Sequence, residues 1–222
     1  MQNQEDYDLM RVRLHVPSNH LILIKGSGVD IDNFYPTSIT DGEVRVALVS
    51  RMLWDKGIAE FVEAVKLLQR KGLAFKALLV GRPDDENIAS LSTNQLQKWQ
   101  AEGYVDYLGH VNDMAAFWRN THIAVLPSYR EGLPKSLLEA ASSGRPIVTT
   151  NTSGCKEVVE DGVNGILVPI KAVTELADAI EKLVLDVSLR KKMGLEGRKK
   201  VEEQFSDAIV ISRTLAVYRE LL

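Results

Sequence analysis

Short, near-continuous apolar runs alternate with stretches of helical spacing along most of this chain, and few folds accommodate that order. Val44 to Ser50 is the clearest run, as expected of a parallel strand covered on both faces. After a loop at 51–57, Ile58, Phe61, Val62, Val65 and Leu68 recur at helical spacing and close near Gly72, which predicts an amphipathic helix. Further strands are predicted at 21–24, 75–80, 105–108, 122–126, 146–150 and 165–168. Further helices are predicted at 88–102, 114–120, 136–141, 154–159, 173–185, 189–204 and 207–222, with Ser206 placed to cap the last. This alternation predicts an α/β fold: one Rossmann-like, doubly wound parallel sheet. Such sheets bind ligands beyond the carboxyl ends of their strands. The polar loops at 25–30, 51–57, 81–87, 109–113 and 128–134 all fall there.

The stretch Ser128 to Gly144 concentrates the chemistry. An apolar run leads into it, Pro134 stands where a helix would begin, and Gly144 ends that helix. Proline's fixed φ and missing N–H suit a first helical position. A helix that opens at the carboxyl end of a strand offers free N–H groups and a positive dipole end to an anion such as phosphate. Glu131 in the turn and Glu139 inside the helix frame that point. A phosphate between two hydroxyl-binding carboxylates points to a sugar nucleotide.

Composition removes several alternatives. A net charge of −3, with no basic stripe interleaved with aromatics, gives no support for nucleic-acid binding. The single cysteine, Cys155, excludes an internal disulfide framework. No apolar run approaches membrane-spanning length, and the polar, acidic segment from Met1 to Met10 is unlike a signal peptide. Cytoplasmic residence is the expectation. Gly26-Ser27-Gly28 lacks the third glycine of a dinucleotide fingerprint. Four scattered histidines offer no metal-ligand spacing, and Asp84-Asp85-Glu86 follows a proline as a solvated turn would. Residues 1–20 read as a lead-in segment, and 21–222 as one domain.

Four segments together resemble the donor-binding, C-terminal domain of family 4 glycosyltransferases of the GT-B fold, the glycosyl transferases group 1. They are Gly26–Asp30 with Phe34 and Pro36; Ser50 to Gly57, reading Ser-Arg-Met-Leu-Trp-Asp-Lys-Gly; the Glu131 and Glu139 pair; and Ser153–Glu157 with Asp161–Gly165. Their wording is similar to that of bacterial enzymes that build lipid-linked saccharides from UDP-activated N-acetylhexosamines. The resemblance implies a two-domain parent with its active site between the domains. Only about 20 residues precede the first motif, so the partner N-terminal acceptor domain is expected to be absent and this chain to be an excised piece or a truncated product.

The resemblance also implies roles. Arg51 and Lys56 would hold the donor diphosphate, and with Glu131 they form the expected catalytic set. Fixed cations stabilise charge on a leaving diphosphate without a metal, so no cofactor or metal is expected. Glu131 would accept hydrogen bonds from donor sugar hydroxyls. Gly132 would allow close backbone approach, and the N–H groups of Leu133, Lys135 and Ser136 would meet the phosphates. Glu139 would accept both ribose hydroxyls, while Arg82 and Val111, beside His110, would lie against the base. Cys155 follows a glycine at a helix start, a place that favours a lowered thiol pKa; it reads as a small residue near the sugar pocket and not as a nucleophile.

The expected function is the donor half of a retaining, metal-independent transferase. It would move a sugar from a UDP-sugar to a glycan or lipid-linked acceptor in cell-surface polysaccharide synthesis, with the parent peripheral to the cytoplasmic membrane face. The fragment alone is expected to be nearly inactive. A non-catalytic nucleotide-sugar-binding or interaction module is the alternative. A glycosidase pair is disfavoured, because carboxylates eight residues apart across a helix start do not straddle one sugar bond.

Overall fold

The computed structural model of the chain describes residues 1–38 and 42–221. Six parallel strands form one sheet: β1 (Arg45–Val49), β2 (Lys76–Val80), β3 (Asp106–Gly109), β4 (Ile123–Leu126), β5 (Ile147–Thr150) and β6 (Gly165–Val168). Their order across the sheet is β3-β2-β1-β4-β5-β6. The chain builds outward from β1 to one edge, then returns to β4 and builds to the other. The reversal leaves a crevice above the carboxyl ends of β1 and β4, the place where doubly wound sheets bind ligands. β4 and β5 are buried along their whole length and β1 through its middle three residues, which explains the largely apolar character of these strands.

Helices cover both faces. On one, α2 (Ile58–Arg70) packs against α7 (Val173–Leu185). Ile58, Phe61, Val62, Ala64, Val65 and Leu68 of α2 are fully buried there. Each large apolar side chain so buried stabilises the fold by about 1.5–3 kcal/mol. On the other face, α5 (Lys135–Ser142) packs against α8 (Val187–Gln204), with Leu138, Ala140, Ala141, Val201 and Phe205 in its core. The short helices α4 (Met114–Arg119) and α6 (Ser153–Val158) flank α5 and α8, and α9 (Asp207–Leu221) ends the described chain. The predicted last helix extends to residue 222, which lies outside the described residues. Ser206 immediately precedes α9.

Two predicted elements differ. The run at 21–24 forms no strand: the Met1 ammonium donates to the Ile22 carbonyl at 2.7 Å and the Ile24 N–H to the Met1 carbonyl at 3.0 Å. Those backbone groups pair with the chain's own start instead of with the sheet, and four apolar residues do not specify which. The segment before it folds as α1 (Gln4–Val12), capped by Asn3. The predicted helix at 88–102 begins only at Thr93, as α3 (Thr93–Ala101). Ser92 accepts from the Gln95 N–H and sets that start, leaving Ile88 fully exposed in a turn. Pro134 sits one position before its expected place, as the N-cap of α5 with ψ 111°.

Candidate active site

A cleft of about 740 Å³ opens at the crevice between the ends of β1 and β4. Val49, Ser50 and Leu126 form part of its wall, and the loops after β2 and β3 contribute Gly81 to Asp84 and His110 with Val111. The main side chains come from the loops after β1 and β4.

The β1 loop tightens into a 3-10 turn, Trp54–Lys56, that ends at Gly57 with φ +71°. A Cβ there would stand 2.1 Å from the Pro127 carbonyl oxygen, so both the backbone angle and the contact require glycine. The turn is thereby pressed onto the end of β4, and the Tyr129 N–H donates to the Asp55 carbonyl at 2.8 Å. Lys56 and Glu131 meet as a result: Nζ lies 2.6 Å from Oε1, and each side chain keeps 13% exposure. Arg51, at the outer lip, pairs with Asp84 at 2.7 Å while 62% exposed. So open a pair contributes little to stability.

At the start of α5, the first N–H groups to find intrahelical acceptors among the described residues are those of Leu137 and Leu138, both bonding to the Pro134 carbonyl. Lys135 and Ser136 line the cleft before them, so the helix presents its unsatisfied end to the cavity. The preceding turn is held from behind. Asn3, itself buried, donates to the Gly132 carbonyl at 2.9 Å. Gly154 of α6 backs the same turn so closely that a Cβ would lie 2.4 Å from the Gly132 oxygen and 2.6 Å from that of Glu131.

Seven of the ten residues expected in the site therefore line one cleft: Arg51, Lys56, Arg82, Val111, Glu131, Lys135 and Ser136. Gly132, Leu133 and Glu139 do not. Leu133 is buried against Gly26, and Glu139 lies one turn into α5. Burial raises the Glu139 carboxyl pKa above its ordinary value, opposed by Lys135 and the Trp118 indole. Among the described residues the buried indole nitrogen has no acceptor in hydrogen-bonding geometry, so it acts on Glu139 as a nearby dipole and not as a formed bond.

Two readings of the sequence need correction. Burial raises the Cys155 thiol pKa instead of lowering it, because the side chain is sealed inside and α6 is only six residues long. It does not line the cleft. In the acidic run, Asp85 and Glu86 are exposed, as a solvated turn requires, but Asp84 turns into the cleft and pairs with Arg51. Sequence reasoning missed it because nothing in three adjacent acids says which one faces inward. It missed Met114 as well, which closes the cleft from α4. Among the described residues no three His, Cys, Asp or Glu converge as metal ligands, and no helix is long and apolar enough to cross a membrane.

The fold recurs in known proteins. The chain is 33% identical over 177 residues to the Staphylococcus aureus capsular polysaccharide biosynthesis glycosyltransferase CapM, covering 80% of this chain and 46% of that protein. It is 29% identical over 233 residues to the Campylobacter jejuni N,N'-diacetylbacillosaminyl-diphospho-undecaprenol alpha-1,3-N-acetylgalactosaminyltransferase, covering 99% and 59%. The chain thus spans about half the length of the curated relatives it matches. The crystal structure of Anabaena HepE in complex with UDP and glucose superposes with a TM-score of 0.80 at 21% identity, over 99% of this chain and 61% of that one. The sheet and its helices are those of a GT-B glycosyltransferase domain. The family model described as Glycosyl transferases group 1 matches residues 43–186, the span that builds the sheet and the cleft, and the chain belongs to that family.

Proposed function

We propose that this chain is the donor-binding half of a retaining, metal-independent glycosyltransferase, which moves a sugar from UDP to a glycan or lipid-linked acceptor. The observation that carries this reading is the Lys56 and Glu131 pair in the switch-point cleft, beside the open end of α5. As the glycosidic bond breaks, negative charge grows on the leaving diphosphate. Lys56, Arg51 and the main-chain N–H groups of Lys135 and Ser136 stabilise it, a task otherwise given to a metal ion. Glu131 accepts hydrogen bonds from sugar hydroxyls and keeps the reacting carbon near Lys56. Glu139, half-buried one turn into α5 and just outside the cleft lining, is assigned the ribose hydroxyls at the cleft's edge, and Arg82 and Val111 bear on the base.

The UDP and glucose bound to HepE support the donor class. The names of the relatives support polysaccharide or lipid-linked acceptors, and with them a parent enzyme working at the cytoplasmic membrane face. The chain spans about half the length of the relatives, and this half by itself is expected to bind donor but to transfer little, since acceptor positioning would come from outside it. Calorimetric titration with UDP tests the reading. Binding is expected without added metal, weakened about tenfold or more by Lys56→Ala and by Glu139→Ala. Equal affinity in wild type and both variants would sink the proposal.

A further inference from the structure

Behind the Lys56 and Glu131 pair lies a second set of contacts that the proposed chemistry does not use. The Tyr129 hydroxyl donates to Glu60 Oε1 at 2.5 Å, joining the β4 loop to the first turn of α2. Its N–H donates to the Asp55 carbonyl at 2.8 Å, and Ser128 Oγ lies 3.2 Å from the same oxygen. Over its ring, Lys171 Nζ stands 4.9 Å from the centroid. Lys171 reaches that position from a left-handed backbone, φ +62°, a conformation that costs a non-glycine residue about 1–2 kcal/mol and persists only where surrounding contacts hold it. Among the described residues Glu60 Oε2 is buried with no partner, and the Tyr129 hydroxyl is the donor seen at this carboxylate.

We propose that Tyr129 and Glu60 are positioning residues: together they pin the loop carrying Lys56 to the loop carrying Glu131, and so fix the spacing that grips a diphosphate. The functional part of this inference rests on the donor-site reading above; the pin itself does not. Asp55 immediately precedes Lys56, and Tyr129 stands two residues before Glu131, so each anchor sits beside the group it places. Without the hydroxyl, the two loops keep the Tyr129 N–H and Ser128 Oγ bonds, both to the one Asp55 carbonyl, and the ion pair, and they can pivot about that single point.

Three variants of the full chain test it. Tyr129→Phe and Glu60→Ala break the pin, whereas Glu60→Gln retains an acceptor for the hydroxyl. In the ligand-free protein, amide exchange at Tyr129 is expected to accelerate about tenfold or more in the first two variants and to stay near wild type in the third, with β1 and β4 fully protected in all. Titration of the same variants should show UDP weakened about tenfold and uridine unchanged, because only the diphosphate needs the spacing. Unchanged exchange at Tyr129 in both breaking variants would overturn the pin. Equal weakening of UDP and uridine would overturn its link to the diphosphate. Wild-type protein that ignores UDP would bring down the donor-site reading instead, and exchange would still decide the pin.

Discussion

Lys56 Nζ and Glu131 Oε1 lie 2.6 Å apart, although 75 residues separate them in the chain. They meet because β1 and β4 are neighbours in the sheet, while β2 and β3, the strands between them in the chain, lie on the far side of β1. A cation held by a carboxylate has only part of its charge free for a ligand. Glu131 therefore competes with any phosphate for Lys56.

From that competition, Glu131→Gln is expected to tighten binding of UDP itself by a few-fold, since Lys56 loses its anionic partner. The same variant should lose whatever extra affinity a sugar confers on UDP-sugar over UDP. Lys56→Met should do the opposite to UDP and also cost stability, because it leaves a largely buried carboxylate unpaired. Paired calorimetric titrations with UDP and a UDP-sugar, and a thermal melt, check all three.

Arg51 and Asp84 form an exposed pair at the lip of the cleft. Asp84→Asn is expected to leave the melting temperature within about a degree, since exposed pairs are worth about 0–1 kcal/mol. It should strengthen UDP binding at low salt and lose that gain at high salt, as Arg51 becomes free for the diphosphate. A titration series across ionic strength checks it, and a gain that persists unchanged in high salt would contradict this role.

Gly154 supports the Glu131 and Gly132 turn from beneath, where an added Cβ would fall 2.4 Å from a main-chain oxygen. Gly154→Ala must move backbone, not a flexible side chain. Its expected result is a loss of about 1–3 kcal/mol in unfolding free energy together with weaker UDP binding, whereas Gly72→Ala meets no neighbour among the described residues and acts through its left-handed backbone. Chemical denaturation of both variants separates packing from conformational strain.

His122 accepts the Arg45 N–H on Nδ1 at 3.0 Å. Burial, reinforced by Arg190, Arg145 and Arg45, pulls its pKa down from 6.5 to about 4. The unfolded chain takes up this proton near pH 6.5 and the folded chain only near pH 4, so the unfolded state binds more protons in between. Stability contributed here is whole above pH 6.5 and lost as the pH falls toward 4. His122→Asn should flatten that part of the melting temperature against pH curve, measured between pH 7 and 4; an unchanged slope would show that other groups set it.

How much was legible beforehand differed by element. The α2 face could be read almost residue by residue: the five apolar positions Ile58, Phe61, Val62, Val65 and Leu68 at helical spacing are all buried, and only Ala64 joins them unforeseen. The run at 21–24 could not, because its hydrogen-bond partners lie at Met1 and no local pattern names them. Cys155 was misjudged for a related reason: a helix start suggests a low thiol pKa, but the depth of burial that overrides it is a property of the packed molecule. Asp84 was one of three equivalent acids until the loop's fold chose it.

By itself, the sequence determined the α/β class, the strands of the sheet, and the two loops that bear Arg51, Lys56 and Glu131, because periodicity and turn residues act over a few neighbouring positions. Only the tertiary structure decided which charges face one another. Strand order sets those distances, and that order follows from long-range packing of both sheet faces, which no short stretch of chain encodes.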